Sequence, residues 1–508
     1  MKKISIYITL IIGMIIASCE NDLEIVNPNQ PTIVVFWKNA TDAEQGVNAI
    51  YSTLHRGAIS RWQPMMGISL SDEGMSKSPW TDLANALDKF IIPNYNFDIV
   101  RDVWRDNYIG IFRANQVLAY VPAIEMDATL KNRYLGEAYF LRGFFYFNLA
   151  TLWGNVPLML TPSTPTDRPS TASQAAVWAQ IEADLTQAIA NLPEKYTDSK
   201  DLGRATKGAA NALLAKALMQ QQKYQQALTP LQWLVTGPGA TIYSLMPDYR
   251  DNFLVTTENN SESVFEWQFQ ENLTERTDDD VATPQHNYGT SIAQFLAPRG
   301  IGWSDMQSNR WMIREFEREQ TVSGERDPRL AATFIYDSTD VRGPEFTMVY
   351  GQNFAQRYGA NSEVWFRKFL NDHWKNEEGY RSPNNYRYIR YADVLLMYAE
   401  CLNETGSTTA AYEFVDRVRE RAGLAPLSQV KPGLSKEDFL SQIKTERLLE
   451  LCGEGHRWND LARWGDLGPE LAFRDPAFAN FVKGKNELLP IPQQDLDINP
   501  NLKQNPNW

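Results

Sequence analysis

The sequence is poor in the residues that staple or metallate a protein, with three cysteines and four histidines in 508 residues. That excludes a disulfide framework and leaves little material for a His/Cys metal cage. It is also short of positive charge, with 49 Lys and Arg against 62 Asp and Glu and a net charge of −13. Nucleic acid and anionic lipid both demand a cationic face, so neither is expected as the main partner. Beyond the N-terminus no apolar run is long enough to span a bilayer. What is abundant is aromatic: 15 Trp, 22 Tyr and 23 Phe. The rest is ordinary globular composition, and the length admits several domains or one large architecture built from repeats.

Residues 1–18 are laid out as a signal peptide. Lys2 and Lys3 precede an apolar run from Ile4 to Ile16, and Ala17-Ser18 supply small residues before Cys19. Small residues directly before a cysteine look like a bacterial lipobox, with Ile16 where Leu is commonest. Cys19 is then the lipidated first residue, and loss of the leader takes the net charge from −13 to −15. Acyl chains there hold the protein at a membrane surface without embedding it. The segment 19–35 reads as a tether, with Asn27-Pro28-Asn29-Gln30-Pro31 extended. Cys401 and Cys452 sit in helical patterns and are expected to pack as small hydrophobes.

Strong 3.6-residue periodicity predicts helices over 131–152, 177–192, 206–222, 224–235, 386–403, 409–421 and 436–452. The first is greasy almost all round, so it is expected to be buried between neighbours. In 208–231 small Ala209, Ala210, Ala212 and Ala215 alternate with Leu213, Leu214 and Leu218, followed by Tyr224, Ala227 and Leu228. This is the helix-hairpin pattern of tetratricopeptide (TPR) repeats, and it recurs at 386–421. Residues 241–384 and 57–100 are rich in turns, with Val264–Phe269 reading as a strand. The expected class is mainly α. A TPR-like scaffold from 36–240 and 385–508 carries a loop-rich part at 241–384 with a few short strands.

Stretches along nearly the whole mature chain resemble the SusD/RagB family of Bacteroidetes outer-membrane lipoproteins. They include Phe36-Trp37-Lys38, Arg113-Ala114-Asn115, Gly136–Gly143 and Asp327-Pro328-Arg329-Leu330. Arg390–Glu400, Glu446-Arg447, Gly453–Trp458 and Leu489-Pro490-Ile491-Pro492 continue the series in order. The acidic cluster Glu20-Asn21-Asp22-Leu23-Glu24 resembles the signal that sends such lipoproteins to the outer face of the outer membrane. The resemblance implies a SusD-like fold and a SusC-like TonB-dependent transporter as partner. It also implies capture of oligosaccharides, or of peptides in RagB-like branches, without catalysis or cofactor. A structural TPR-type adaptor is the remaining alternative.

Glycan capture needs flat apolar faces for the C–H side of a pyranose and polar groups for its hydroxyl edge. Trp37, Trp104, Trp153, Trp178, Trp233, Trp458 and Trp464 fall in or beside helices and read as core. Trp62, Trp80, Trp303, Trp311, Trp365 and Trp374 fall in or near loop-rich stretches. The family's ligand platform is generally built from the regions holding Trp80 and Trp303, so these two are favoured. Arg61, Trp62, Asp72, Asn287 and Tyr288 would add a wall and hydroxyl partners, although Asp72-Glu73 equally resembles a structural family segment. No dense basic cluster marks these loops, which points to a neutral glycan. No spacing singles out the paired carboxylates of a glycosidase. Asp278-Asp279-Asp280 lacks the ligand spacing of a calcium loop, so no metal is expected. Gly453-Glu454-Gly455-His456 lacks the Lys and Ser/Thr of a phosphate loop and reads as a helix-ending turn, with His456 and Arg457 tied into the scaffold.

Overall fold

The computed structural model describes residues 36–271, 288–337, 348–359 and 362–508. Its frame is a row of helices: α1 (Ala40–Tyr51), α2 (Gln63–Ser69), α3 (Asp98–Tyr120), α4 (Ala128–Leu152), α5 (Gln174–Asn191), α6 (Lys207–Gln220) and α7 (Tyr224–Val235). After a long excursion come α8 (Tyr391–Glu404), α9 (Thr408–Arg421), α10 (Lys436–Leu451) and α11 (Arg457–Trp464). From α3 to α7 each helix packs on the next, α7 packs on α8, and α8 packs on α9 and α10. The starts are set by polar caps. Asp127 accepts from the Leu130 N–H, Thr206 from Ala209 and Ser435 from Asp438.

Small residues set how closely the row packs. A Cβ at Gly110 of α3 would lie 2.2 Å from the Phe145 ring of α4, and one at Gly143 would lie 3.2 Å from Leu185 of α5. In α6, Ala209, Ala210, Ala212, Ala215 and Ala217 are fully buried, the close approach that the small-large alternation predicts. Helix α4 is buried along most of its circumference from Phe140 to Leu152, between α3 and α5. Cys401 and Cys452 are buried and unpaired, and burial raises both thiol pKa values. No helix among the described residues is long and apolar enough to cross a membrane.

The helix expected over 386–403 begins five residues late. Tyr386–Arg390 is instead a strand, β6, paired antiparallel with β2 (Ser263–Trp267) in the register Ser263↔Arg390 and Trp267↔Tyr386. Its aromatic and β-branched residues are buried on both faces, which suits a strand better than a helix start. Strand β6 delivers Arg390 into a buried ion network. Its guanidinium lies 2.8 Å from Glu454, 2.9 Å from Glu450 and 2.5 Å from Glu262. Lys368 also reaches Glu454, at 2.7 Å. Several residues that carry the family resemblance are therefore scaffold.

The excursion holds a second sheet of four short strands: β1 (Gly74–Ser76), β3 (Met306–Ser308), β4 (Phe334–Tyr336) and β5 (Val364–Phe366). They run in the spatial order β1-β3-β5-β4, with every neighbouring pair antiparallel. The turn-rich stretch 57–100 supplies β1, together with α2 and helical turns at Ala58–Trp62 and Asp82–Leu87.

Candidate ligand-binding site

The pairing of β1 with β3 brings the Trp80 and Trp303 loops together. Gly74 faces Ser308, Met75 faces Gln307 and Ser76 faces Met306. The ladder runs one step further, where the Lys77 N–H donates to the Asp305 carbonyl at 2.8 Å. On one strand the chain continues to Trp80, whose N–H donates to Ser78 Oγ at 3.1 Å. On the other it arrives from Trp303.

The Trp303 turn is held from behind. The Trp303 N–H donates to the Gln294 carbonyl at 2.7 Å and the Asp305 N–H to the Phe295 carbonyl at 2.8 Å. A Cβ on Gly302 would sit 2.4 Å from the Gln294 carbonyl oxygen, so glycine is required for that approach. Arg357 Nη2 donates to the Gly300 carbonyl at 2.7 Å. Ser304 takes a positive φ of 60°, rare for a residue with a Cβ. Its hydroxyl accepts from Trp365 Nε1 at 2.7 Å and from Gln307 Nε2 at 2.9 Å.

The rings form one continuous band. Trp80 meets Trp62 at 5.2 Å between centroids, Trp62 meets Phe295 at 5.0 Å, and Phe295 meets Trp303 at 4.7 Å. Tyr380 closes the band 5.4 Å from Trp303. Trp62 and Phe295 are 1% exposed and serve as footing, whereas Trp303 is 48% exposed and Trp80 is half-buried. Arg61 is buried beneath the band. Its guanidinium lies 4.1 Å from the Trp62 centroid and 4.6 Å from that of Phe295, and it donates to Ser291 Oγ at 3.1 Å. Burial raises the pKa of Asp305 beside this band, against the pull of the Ser78 hydroxyl and Arg61.

Of the other residues singled out from sequence, Tyr288 is exposed on the segment entering the Thr290–Ser382 bridge. Asn287, Asp278-Asp279-Asp280 and Cys19 lie outside the described residues. Asp72 is fully buried, and Arg457 at 2.7 Å and Arg474 at 2.9 Å hold its two oxygens. Burial pushes its pKa up, but the two guanidiniums outweigh this and hold it below the usual carboxylate range. Its neighbour Glu73 is pushed up by burial to about 8. This pair belongs to the scaffold, where Arg457 was expected. Within the loop group Trp62, Trp311 and Trp365 turn inward, while Trp374 is exposed with the Lys375 ammonium 4.4 Å from its ring. Among those read as core, Trp37, Trp233 and Trp464 are half-buried.

Phe295 and Tyr380 were not legible as site residues. Phe295 sits in a five-residue apolar helix and Tyr380 in a turn, and neither carries a periodic signal. Among the described residues no group of three or more His, Cys, Asp or Glu side chains is placed to hold a metal ion.

Two family profiles match the chain in order. One, described as "Starch-binding associating with outer membrane", covers residues 39–219, and the SusD family covers residues 261–508. The SusD-like protein P25 of Formosa agariphila is 27% identical over 543 aligned residues, spanning 99% of this chain and 97% of that protein. A solved SusD superfamily protein from Bacteroides vulgatus matches with a TM-score of 0.81 at 27% identity, covering 93% of this chain and 100% of its own. A laminarin-binding SusD-like protein of known structure matches with a TM-score of 0.75 at 30% identity, again over 93% and 100%. With its helical frame, its strand-paired loops and these matches along its length, the chain belongs to the SusD family.

Proposed function

We propose that this protein captures an oligosaccharide on the Trp80–Trp303 platform without cleaving it. The ligand then passes to a SusC-like TonB-dependent transporter, while lipidated Cys19 anchors the protein to the exterior face of the outer membrane. The aromatic band carries the reading. Exposed Trp303 and half-buried Trp80 are fixed by a buried aromatic footing, which suits stacking on the apolar face of a sugar. The relative whose name states laminarin binding supports a glycan, and a neutral one. Stacking of two or three rings corresponds to millimolar to micromolar affinity, about −4 to −8 kcal/mol. Closure of the pair over a shared ligand would supply the remaining retention.

Native affinity gels with laminarin and a panel of other neutral and acidic glycans test the reading. Retardation that disappears in Trp303→Ala supports it. Absence of retardation on every glycan, with peptide binding seen by calorimetry, moves the protein to the peptide-binding branch. If neither ligand binds and the transporter still co-purifies, the chain is an adaptor. New reducing ends in the same incubations would overturn the non-catalytic reading.

A further inference from the structure

A cavity of about 40 Å³ lies where α2, the end of α4, the β2–β6 pair and the start of α11 meet. Four side-chain atoms of its lining residues have no hydrogen-bond partner among the described residues. They are Gln63 Oε1, Trp267 Nε1, His456 Nε2 and Trp458 Nε1. Trp267, Trp458 and His456 are 1%, 2% and 6% exposed, so bulk water does not satisfy them. Buried polar groups in folded proteins are almost always paired, and four such atoms around one cavity call for a shared occupant.

The chemistry of the wall selects that occupant. An indole N–H only donates, and there are two of them, whereas Gln63 Oε1 only accepts. The occupant must therefore accept from Trp267 and Trp458 and donate to Gln63. A halide accepts but has no proton to give, and a cation would face two N–H groups with one amide oxygen as ligand. The Glu454 carboxylate on the wall is already held by Arg390 at 2.8 Å and Lys368 at 2.7 Å, so it is not a spare cation ligand. His456 is kept neutral by burial, which lowers its pKa to about 4. A neutral imidazole offers one donor or one acceptor at Nε2, and either suits a molecule that does both.

We propose that this cavity is a structural water site in which a small cluster of ordered waters bridges Gln63, Trp267, His456 and Trp458. At about 10–15 Å³ per molecule the volume holds about three or four waters. The cluster ties α11 and the β2–β6 pair to α2, and α2 follows directly on Trp62, the footing of the platform. The site is independent of which ligand the platform takes.

High-resolution crystallography of the full chain tests this directly. The expected result is about three or four well-ordered waters, with Trp267 Nε1, Trp458 Nε1 and Gln63 Oε1 each within hydrogen-bond distance of one. Xenon binding there under pressure would mark a dry apolar void, and an anomalous peak after bromide exchange would mark an anion. Either result overturns the proposal. Gln63→Met provides a second readout, because it removes the acceptor at nearly constant volume. The variant is expected to melt about 1–2 °C lower, and a level or raised melting temperature would count against bridging water.

Discussion

The ring of Phe295 stands 4.7 Å from that of Trp303 at 66°, and on its other side it lies 5.0 Å from Trp62. The exposed indole is thereby backed by a buried one through a single phenyl ring. On the proposed function, one face of the platform is fixed before a ligand arrives, so stacking would cost little side-chain entropy. Trp303→Ala is expected to weaken glycan binding at least tenfold, about 1.4 kcal/mol, with an almost unchanged melting temperature. Calorimetry paired with thermal melts checks both. Phe295→Ala should instead lower stability by about 3–5 kcal/mol, whereas Phe295→Leu keeps the fold and loses part of the affinity.

Gly302 is the tight point of the Trp303 turn. A methyl group there meets the Gln294 carbonyl oxygen at 2.4 Å and Ala297 Cβ at 2.7 Å. Gly302→Ala must therefore displace the turn or break the Trp303 N–H bond to Gln294. The expected outcome is weaker ligand retention in affinity gels with a folded circular-dichroism spectrum. Retention equal to that of the parent protein would show that the turn tolerates the shift.

Asp88 couples pH to the same strand pair. It accepts from the Ser76 N–H at 3.0 Å, and burial pushes its pKa up to about 7. Nearby Asp475 is raised to about 6, by burial first and then by the charge of Asp72. Between about pH 4 and 7 the folded protein keeps protons that the unfolded chain releases, so this contribution to stability is lost as pH rises. Asp88→Asn removes the titration and retains an acceptor. Melting curves at pH 5 and pH 8 are expected to show a smaller drop for the variant than for the parent, by about 1–3 °C.

The Arg390 network is the point of greatest sensitivity in the scaffold. Removing one partner from a buried pair leaves uncompensated charge, at a cost of about 3–5 kcal/mol. Arg390→Met takes the guanidinium that Glu262, Glu450 and Glu454 share, leaving Arg421 on Glu262 and Glu450, Arg329 on Glu450 and Lys368 on Glu454 one positive charge short. The variant should be recovered poorly or melt far below the parent. A replacement that also turns Glu262 into Gln, one negative charge removed for one positive, should regain part of the loss, since Arg421 keeps Glu450.

The helices were legible because their signals are local. The stripe of α4, the small-large alternation of α6 and the capping residues Thr206 and Ser435 all act within a few residues. The start of α8 differs from expectation because Tyr386–Arg390 is buried on every side, its two arginines included, and the sequence pattern does not separate a buried strand from a buried helix. The family resemblance, with a Trp in a turn of each, singled out the Trp80 and Trp303 loops, and the β1–β3 pairing brings these two loops together. Which tryptophan faces outward was not legible, because that depends on partners far along the chain. Trp62 and Trp80 have similar surroundings in sequence, yet Arg61 and Phe295 bury the first and leave the second at the edge. Asp72 reads from sequence either as a hydroxyl partner or as part of a structural segment, and Arg457 and Arg474, far along the chain, decide for the second.

The pairing of Gly74 with Ser308 joins segments separated by almost half the chain. Closing so long a loop costs entropy that only the finished contact repays. A chain being synthesised therefore has Trp62 and Trp80 long before it has Phe295 and Trp303. The proposed ligand face is completed late, after α3 to α7 have been made. A molecule interrupted midway carries α1 to α7 without the proposed platform.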